Sequence, residues 1–65
     1  MRINKEIREK EVRLVDADGS QLGVVGIDAA RNRAFNQGLD LIEVSDKIKP
    51  VVCKIADFGK IRFEK

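Results

Sequence analysis

Apolar and polar positions change period along this chain, and each change marks an element. From Glu11 to Asp16, Val12 and Leu14 alternate with Arg13 and Val15, and Leu22 to Val25 is a second β-branched run; both read as strands. Between them, Ala17-Asp18-Gly19-Ser20 supplies the positive φ angles of a tight hairpin loop. From Gly26 to Gln37 the period lengthens: Ile27, Ala30, Ala34 and the aliphatic stem of Arg31 fall on one helical face, which Phe35 extends. Gly26 or Asp28 can cap the start, an acid in the first turn suits the helix dipole, and Gly38 fits the left-handed position beyond the end. The spacing predicts one helix of about three turns.

Leu39 to Val44 is apolar on both faces apart from Asp40 and Glu43, the pattern of a central strand covered by the helix. After a polar loop over Asp46 to Pro50, Val51 to Phe58 alternates again. Val51, Cys53 and Ile55 lie on one side, with Lys54 and Ala56 on the other. Gly59 breaks this strand, and Lys60 to Lys65 has helix-compatible composition. Met1 to Lys10 holds Ile3 and Ile7 among charged residues, an arm anchored to the domain by two apolar side chains. Residues 1–10 thus form an N-terminal arm, 11–59 a single α+β domain and 60–65 a tail. The order β-β-α-β-β predicts one helix packed on a mixed four-stranded sheet, most economically a β-grasp-like arrangement, with a ferredoxin-like half or a split β-α-β piece as the alternative.

Composition narrows this picture. A chain of 65 residues, 43% hydrophobic with three Phe and no Trp or Tyr, can build one small aliphatic core, burying about 60% of its unfolded surface. The net charge of +2 says little, but its distribution says more. Residues 1–13 carry five basic and three acidic side chains, residues 14–46 two and six, and residues 47–65 six and two. Basic ends flanking an acidic middle raise nucleic-acid contact as a hypothesis. The single Cys53 excludes an internal disulfide, and without His the familiar zinc spacings cannot form. No apolar run approaches the roughly 20 residues of a spanning helix, and the first residues do not resemble a signal peptide, so a cytoplasmic protein is expected.

Catalysis fails on inventory. There is no His or Tyr, the hydroxyl side chains are Ser20 and Ser45, and Cys53 sits mid-strand. Lys54 could lower the thiol pKa, yet adjacent strand residues point to opposite faces, and a buried structural Cys is the simpler reading. Asp16 with Asp18, or Asp40 with Glu43, could pass for a carboxylate pair, but Asp18 suits the turn and Asp40 the solvated start of a strand. Gly23 to Gly26 lacks the spacing and Lys of a phosphate-binding loop. Basic side chains remain the chemical resource: Arg2, Lys5, Arg8 and Arg13 at one end, Lys47, Lys49, Lys54, Lys60 and Arg62 at the other. Each can neutralise a phosphate and release a counterion, or simply be a solvated face. Phe63, among basic residues, is a further candidate for stacking on a base.

Several segments in register carry a resemblance: Ile7-Arg8 before Glu11-Val12-Arg13-Leu14, Asp18-Gly19 leading to Gln21-Leu22-Gly23, Leu39 to Ser45, and Pro50 to Lys60. Together they resemble the N-terminal domain of bacterial translation initiation factor 3, over essentially the whole chain. Departures include Val51 where the family usually has a second Pro, Lys54 and Ala56 for Arg and Met, Phe58 for Tyr, and Ala29-Ala30-Arg31 for Glu-Ala-Leu. The last removes an apolar contact with the sheet, which Phe35 is expected to replace. The resemblance implies a two-domain factor in which Lys60 to Lys65 begins a basic interdomain linker helix. The domain that blocks joining of the large subunit is absent from this chain.

The N-terminal domain would bind the small ribosomal subunit, both rRNA and ribosomal proteins, near initiator tRNA, and support selection of that tRNA and of the start codon. Arg8, Arg13, Lys47, Lys49, Lys54, Lys60 and Arg62 are then the RNA-facing residues, with Arg2 and Lys5 behind them on a mobile arm. A monomer with no cofactor, metal, membrane contact or catalytic residue is expected. The rival is a ubiquitin-like protein–protein interaction module whose charges only confer solubility.

Overall fold

The computed structural model describes the backbone of residues 2–63 and the side chains of residues 2–60. Strands β1 (Glu11–Val15) and β2 (Gln21–Gly26) form the expected hairpin. Its loop is closed by Asp16 N–H donating to Ser20 O at 2.8 Å, while Asp18 Oδ1 accepts Ser20 N–H at 2.9 Å. The register slips between Leu14 and Val15, opposite Gly23 and Gln21. Gly23, at φ +79°, supplies the backbone such a bulge requires, and the extra residue lets both Leu22 and Val25 pack on the core.

Helix α1 (Ile27–Asn36) buries Ala30 and Ala34, small residues that allow a close approach to the sheet. It ends as the sequence predicts. Gly38 is left-handed at φ +69°, its N–H donates to Phe35 O at 2.9 Å, and Leu39 N–H reaches back to Ala34 O at 2.9 Å, which satisfies carbonyls that the helix end leaves free.

Strands β3 (Asp40–Ser45) and β4 (Val52–Ala56) complete a sheet of order β2-β1-β4-β3, with β1 and β4 parallel and the other pairs antiparallel. This is the α+β, β-grasp-like arrangement expected: one main helix on a mixed four-stranded sheet. Val12, Leu14, Leu41, Val51, Cys53 and Ile55 face α1 and are at most 1% exposed, so the alternation read along β1 and β4 holds.

Three expectations are corrected. First, β3 is an edge strand, not a central one. The arm covers its free side: Ile3 bridges Ile42, Glu43 N–H donates to Arg2 O at 2.9 Å, and Leu41 N–H donates to Asn4 Oδ1 at 2.9 Å. That cover is why both faces can be apolar, with Leu41 in the core and Ile42 only 1% exposed on the opposite side. Second, the last strand stops at Ala56, and Phe58 opens helix α2 (Phe58–Phe63), with Gly59 inside it. Asp57 Oδ1 accepts Lys60 N–H at 3.2 Å, a capping bond that starts the helix before the glycine can end the strand. Third, Phe35 is 81% exposed. It does not stand in for the apolar side chain that Arg31 displaces, and the stem of Arg31 is itself half-buried. Phe35 instead rims a cavity of about 570 Å³ between α1 and the arm.

The arm keeps both apolar anchors. A 3₁₀ turn (Asn4–Glu6) carries the chain from Ile3 to Ile7, which is fully buried in the core cluster.

Candidate nucleic-acid interface

Helix α1 covers one face of the sheet; among the described residues no helix packs on the other, where Arg13 and Lys54 are exposed while Ile42, beside the arm, is buried. On the open face, Arg13 of β1 pairs with Val52 and Val15 pairs with Lys54 of β4, so the register sets both cations on the same side, on neighbouring strands and two positions apart. Both are exposed. A cavity of about 350 Å³ beside Arg13 is bounded by Val15, Gln21, Gly23 and Val52. Strand β4 then acts as a thread: the loop before it carries Lys47 and Lys49, its middle Lys54, and the first turn of α2 Lys60, all exposed. Five strand residues span about 16 Å, the reach of several successive phosphates.

Arg8 stands apart from this strip. It is exposed, but residues 7–10 are tied to α1, because Arg31 Nη2 donates to Ile7 O at 2.6 Å and Ile27 N–H donates to Lys10 O at 2.9 Å. The side chains of Arg62 and Phe63 lie outside the described residues.

Other arginines are engaged in structure. Arg33 donates through Nε and Nη2 to Asp16 Oδ2 at 3.1 and 2.8 Å, and Gln37 Nε2 donates to Oδ1 at 2.9 Å. These bonds, with Gln37 first and Arg33 next, pull the Asp16 carboxyl from its ordinary 3.8 to about 2. Arg31 binds Ile7 O and lies 3.4 Å from Asp28, while its buried Nε has no partner among the described residues.

Arg2 is not mobile. It grips the buried Glu43 through Nε to Oε1 at 2.7 Å and through Nη2 to Oε2. These bonds hold Glu43 below the usual carboxylate range against the burial that pushes it up. Glu9 joins the network, 3.8 Å from Arg2 and 3.5 Å from Lys49. Lys49, alone of the strip cations among the described residues, has an acidic neighbour in place. Sequence reasoning missed these networks because Arg2 and Glu43 are 41 positions apart, a separation that carries no periodic signal.

Cys53 is fully buried on the α1 side, and burial pushes its thiol up to about 11. Lys54 projects to the other face and does not activate it, in line with the structural role the alternation assigns.

Fold and surface place the chain in a class of small α+β domains, here with a strip of exposed cations along one strand. Comparison with known proteins supplies the family. The family model described as translation initiation factor IF-3, N-terminal domain, matches residues 3–65, and the chain belongs to that family. Translation initiation factor IF-3 of Myxococcus xanthus is 54% identical over 63 residues, covering 97% of this chain and 26% of that protein. The factor of Aquifex aeolicus strain VF5 is 49% identical over 63 residues, 97% of this chain and 36% of that protein. That of Yersinia pestis is 50% identical over 64 residues, 98% and 35% respectively. The chain thus spans between a quarter and about a third of the length of these relatives. No helix among the described residues is long and apolar enough to cross a membrane.

Proposed function

We propose that this chain is a non-catalytic ribosome-binding domain that docks on the small ribosomal subunit and supports selection of initiator tRNA and of the start codon. The observation that carries the reading is the family match over residues 3–65. The strip along β4 supports the place of contact: Arg13, Lys47, Lys49, Lys54 and Lys60 face phosphates, with Arg62 beyond them and Arg8 as a separate contact from the arm side. Residues 1–10 serve as the arm, 11–59 as the domain, and 60–65 enter a helix leading to the rest of the factor. The domain acts as a cytoplasmic monomer, and joined to a second ribosome-bound domain it would gain from high effective concentration, so weak contacts suffice.

The test is a titration against purified small subunits at several salt concentrations, with the triple variant Arg13→Gln, Lys54→Gln and Lys60→Gln alongside. The expected result is saturable binding that falls steeply with salt, and in the variant a log–log salt slope shallower by about 2–3, at roughly 0.7–0.9 for each phosphate no longer neutralised. Saturable binding that ignores both salt and the variant would overturn the RNA-facing strip in favour of a protein-interaction module. Absence of any subunit-specific binding would overturn ribosome docking by this chain.

A further inference from the structure

The arm and the last helix meet at one carboxylate. Asp40 opens β3, half-buried, and its two oxygens serve different parts of the chain: Asn4 Nδ2 donates to Oδ1 at 2.9 Å, and the backbone N–H of Phe58 donates to Oδ2 at 3.1 Å. Asn4 is itself held at both ends, since its Oδ1 accepts Leu41 N–H at 2.9 Å. Its backbone lies at φ +48°, a left-handed conformation that Asn tolerates better than most residues. The turn therefore presents the Asn4 amide to Asp40 in a single orientation.

A carboxylate rotates broadly about its last torsion unless both oxygens are held. The Phe58 N–H is one of the amides that a helix start leaves without an internal partner. Asp57, which accepts Lys60 N–H, caps α2 from within and would travel with it. The Asp40 bond instead ties the helix to the sheet, and Asn4 fixes the Asp40 rotamer that makes this bond.

We propose that Asp40 is a positioning residue that couples docking of the N-terminal arm to the direction in which α2 leaves the sheet. With the arm seated by Arg2 on Glu43 and by Ile7 in the core, the Asp40 carboxylate is oriented and the first turn of α2 is pinned. With the arm lifted, the carboxylate turns and that first turn loosens. The structural coupling stands by itself; its consequence, that the arm sets where the following part of the factor points, rests on the function proposed above.

Amide hydrogen exchange and chemical shifts, read by NMR on this chain, test it without any ribosome, so a failed subunit titration and a failed coupling are separate results. Asn4→Gly keeps the left-handed backbone at no steric cost and removes only the side chain. It is expected to speed exchange at Phe58 about fivefold, the scale of one hydrogen bond's net contribution, and to shift the resonances of Phe58 to Lys60 while β4 and α1 keep their protection. In an Asp40→Ala background, where the Phe58 bond is already gone, adding Asn4→Gly should change nothing further at Phe58. Asn4→Asp repeats the test without loosening the backbone, because it retains the acceptor for Leu41 and turns the donor facing Asp40 into a carboxylate oxygen that repels it. Unaltered Phe58 exchange and shifts in both Asn4 variants would overturn the proposal. So would an equal Asn4→Gly effect with and without Asp40, which would mean the signal bypasses the carboxylate.

Discussion

Asp16 ties the hairpin to α1 and its C-cap through three bonds accepted from Arg33 and Gln37, and accepts a fourth from Ala17 N–H within the hairpin loop. Its folded-state carboxyl sits near 2, against an ordinary 3.8. A depressed carboxylate adds stability that is present above the ordinary value and lost as pH falls through the folded one. Urea midpoints should therefore be steady from pH 7 to about 5 and drop between about pH 4 and 2, and Asp16→Asn should flatten that drop while lowering the midpoint at neutral pH. An acid limb of equal depth in the variant would assign the acid sensitivity to other carboxylates. Cys53 gives a second expectation at this scale. A thiol pushed up to about 11 and fully buried should react with a thiol reagent at pH 8 only as fast as the domain opens, so its labelling rate should track urea-dependent unfolding. The turn role of Asp18 and the burial of Cys53 were both legible in the sequence, because each depends on immediate neighbours.

Among elements, the arm behaves as part of the fold. Ile7 is fully buried, and its truncation to Ala should cost about 3 kcal/mol, a large share of the roughly 3–10 kcal/mol expected for a chain of this length. Chemical denaturation of Ile7→Ala would measure it; a cost below about 1 kcal/mol would make the arm a passive tail. Phe35→Ser should by contrast alter stability by no more than about 0.5 kcal/mol, since the ring is 81% exposed. The period of α1 was legible from Ile27, Ala30 and Ala34, but the sequence assigned Phe35 to the same stripe. Only packing shows that the stripe keeps Ile27, Ala30 and Ala34 and leaves the aromatic outside. Likewise, alternation gave β4 its two faces, but its end was misread because the capping bond from Asp57 competes with the strand pattern at Phe58.

For the whole molecule, charge sorts by use: Asp16, Glu43 and the α1 arginines are tied into structure, while the cations along β4 stay exposed. That division predicts a salt-dependent partner for the open sheet face, with the slope change proposed for the Arg13, Lys54 and Lys60 variant as its measure. Local features follow from the order of residues along the chain. Hydrophobic period set the strands, the hairpin and the helix; Gly38 set the helix end; and the run of charges named Arg13, Lys47, Lys49, Lys54 and Lys60. The family resemblance was also in the sequence, since segments in register survive conservative exchange. The strand order, the edge position of β3 and the pairing of Arg2 with Glu43, Asn4 with Asp40 and Arg33 with Asp16 emerge only in the folded chain. These join residues 41, 36 and 17 positions apart. The reason is physical: periodicity reports which face a side chain shows, whereas a partner at long sequence separation is chosen only when the chain has closed on itself.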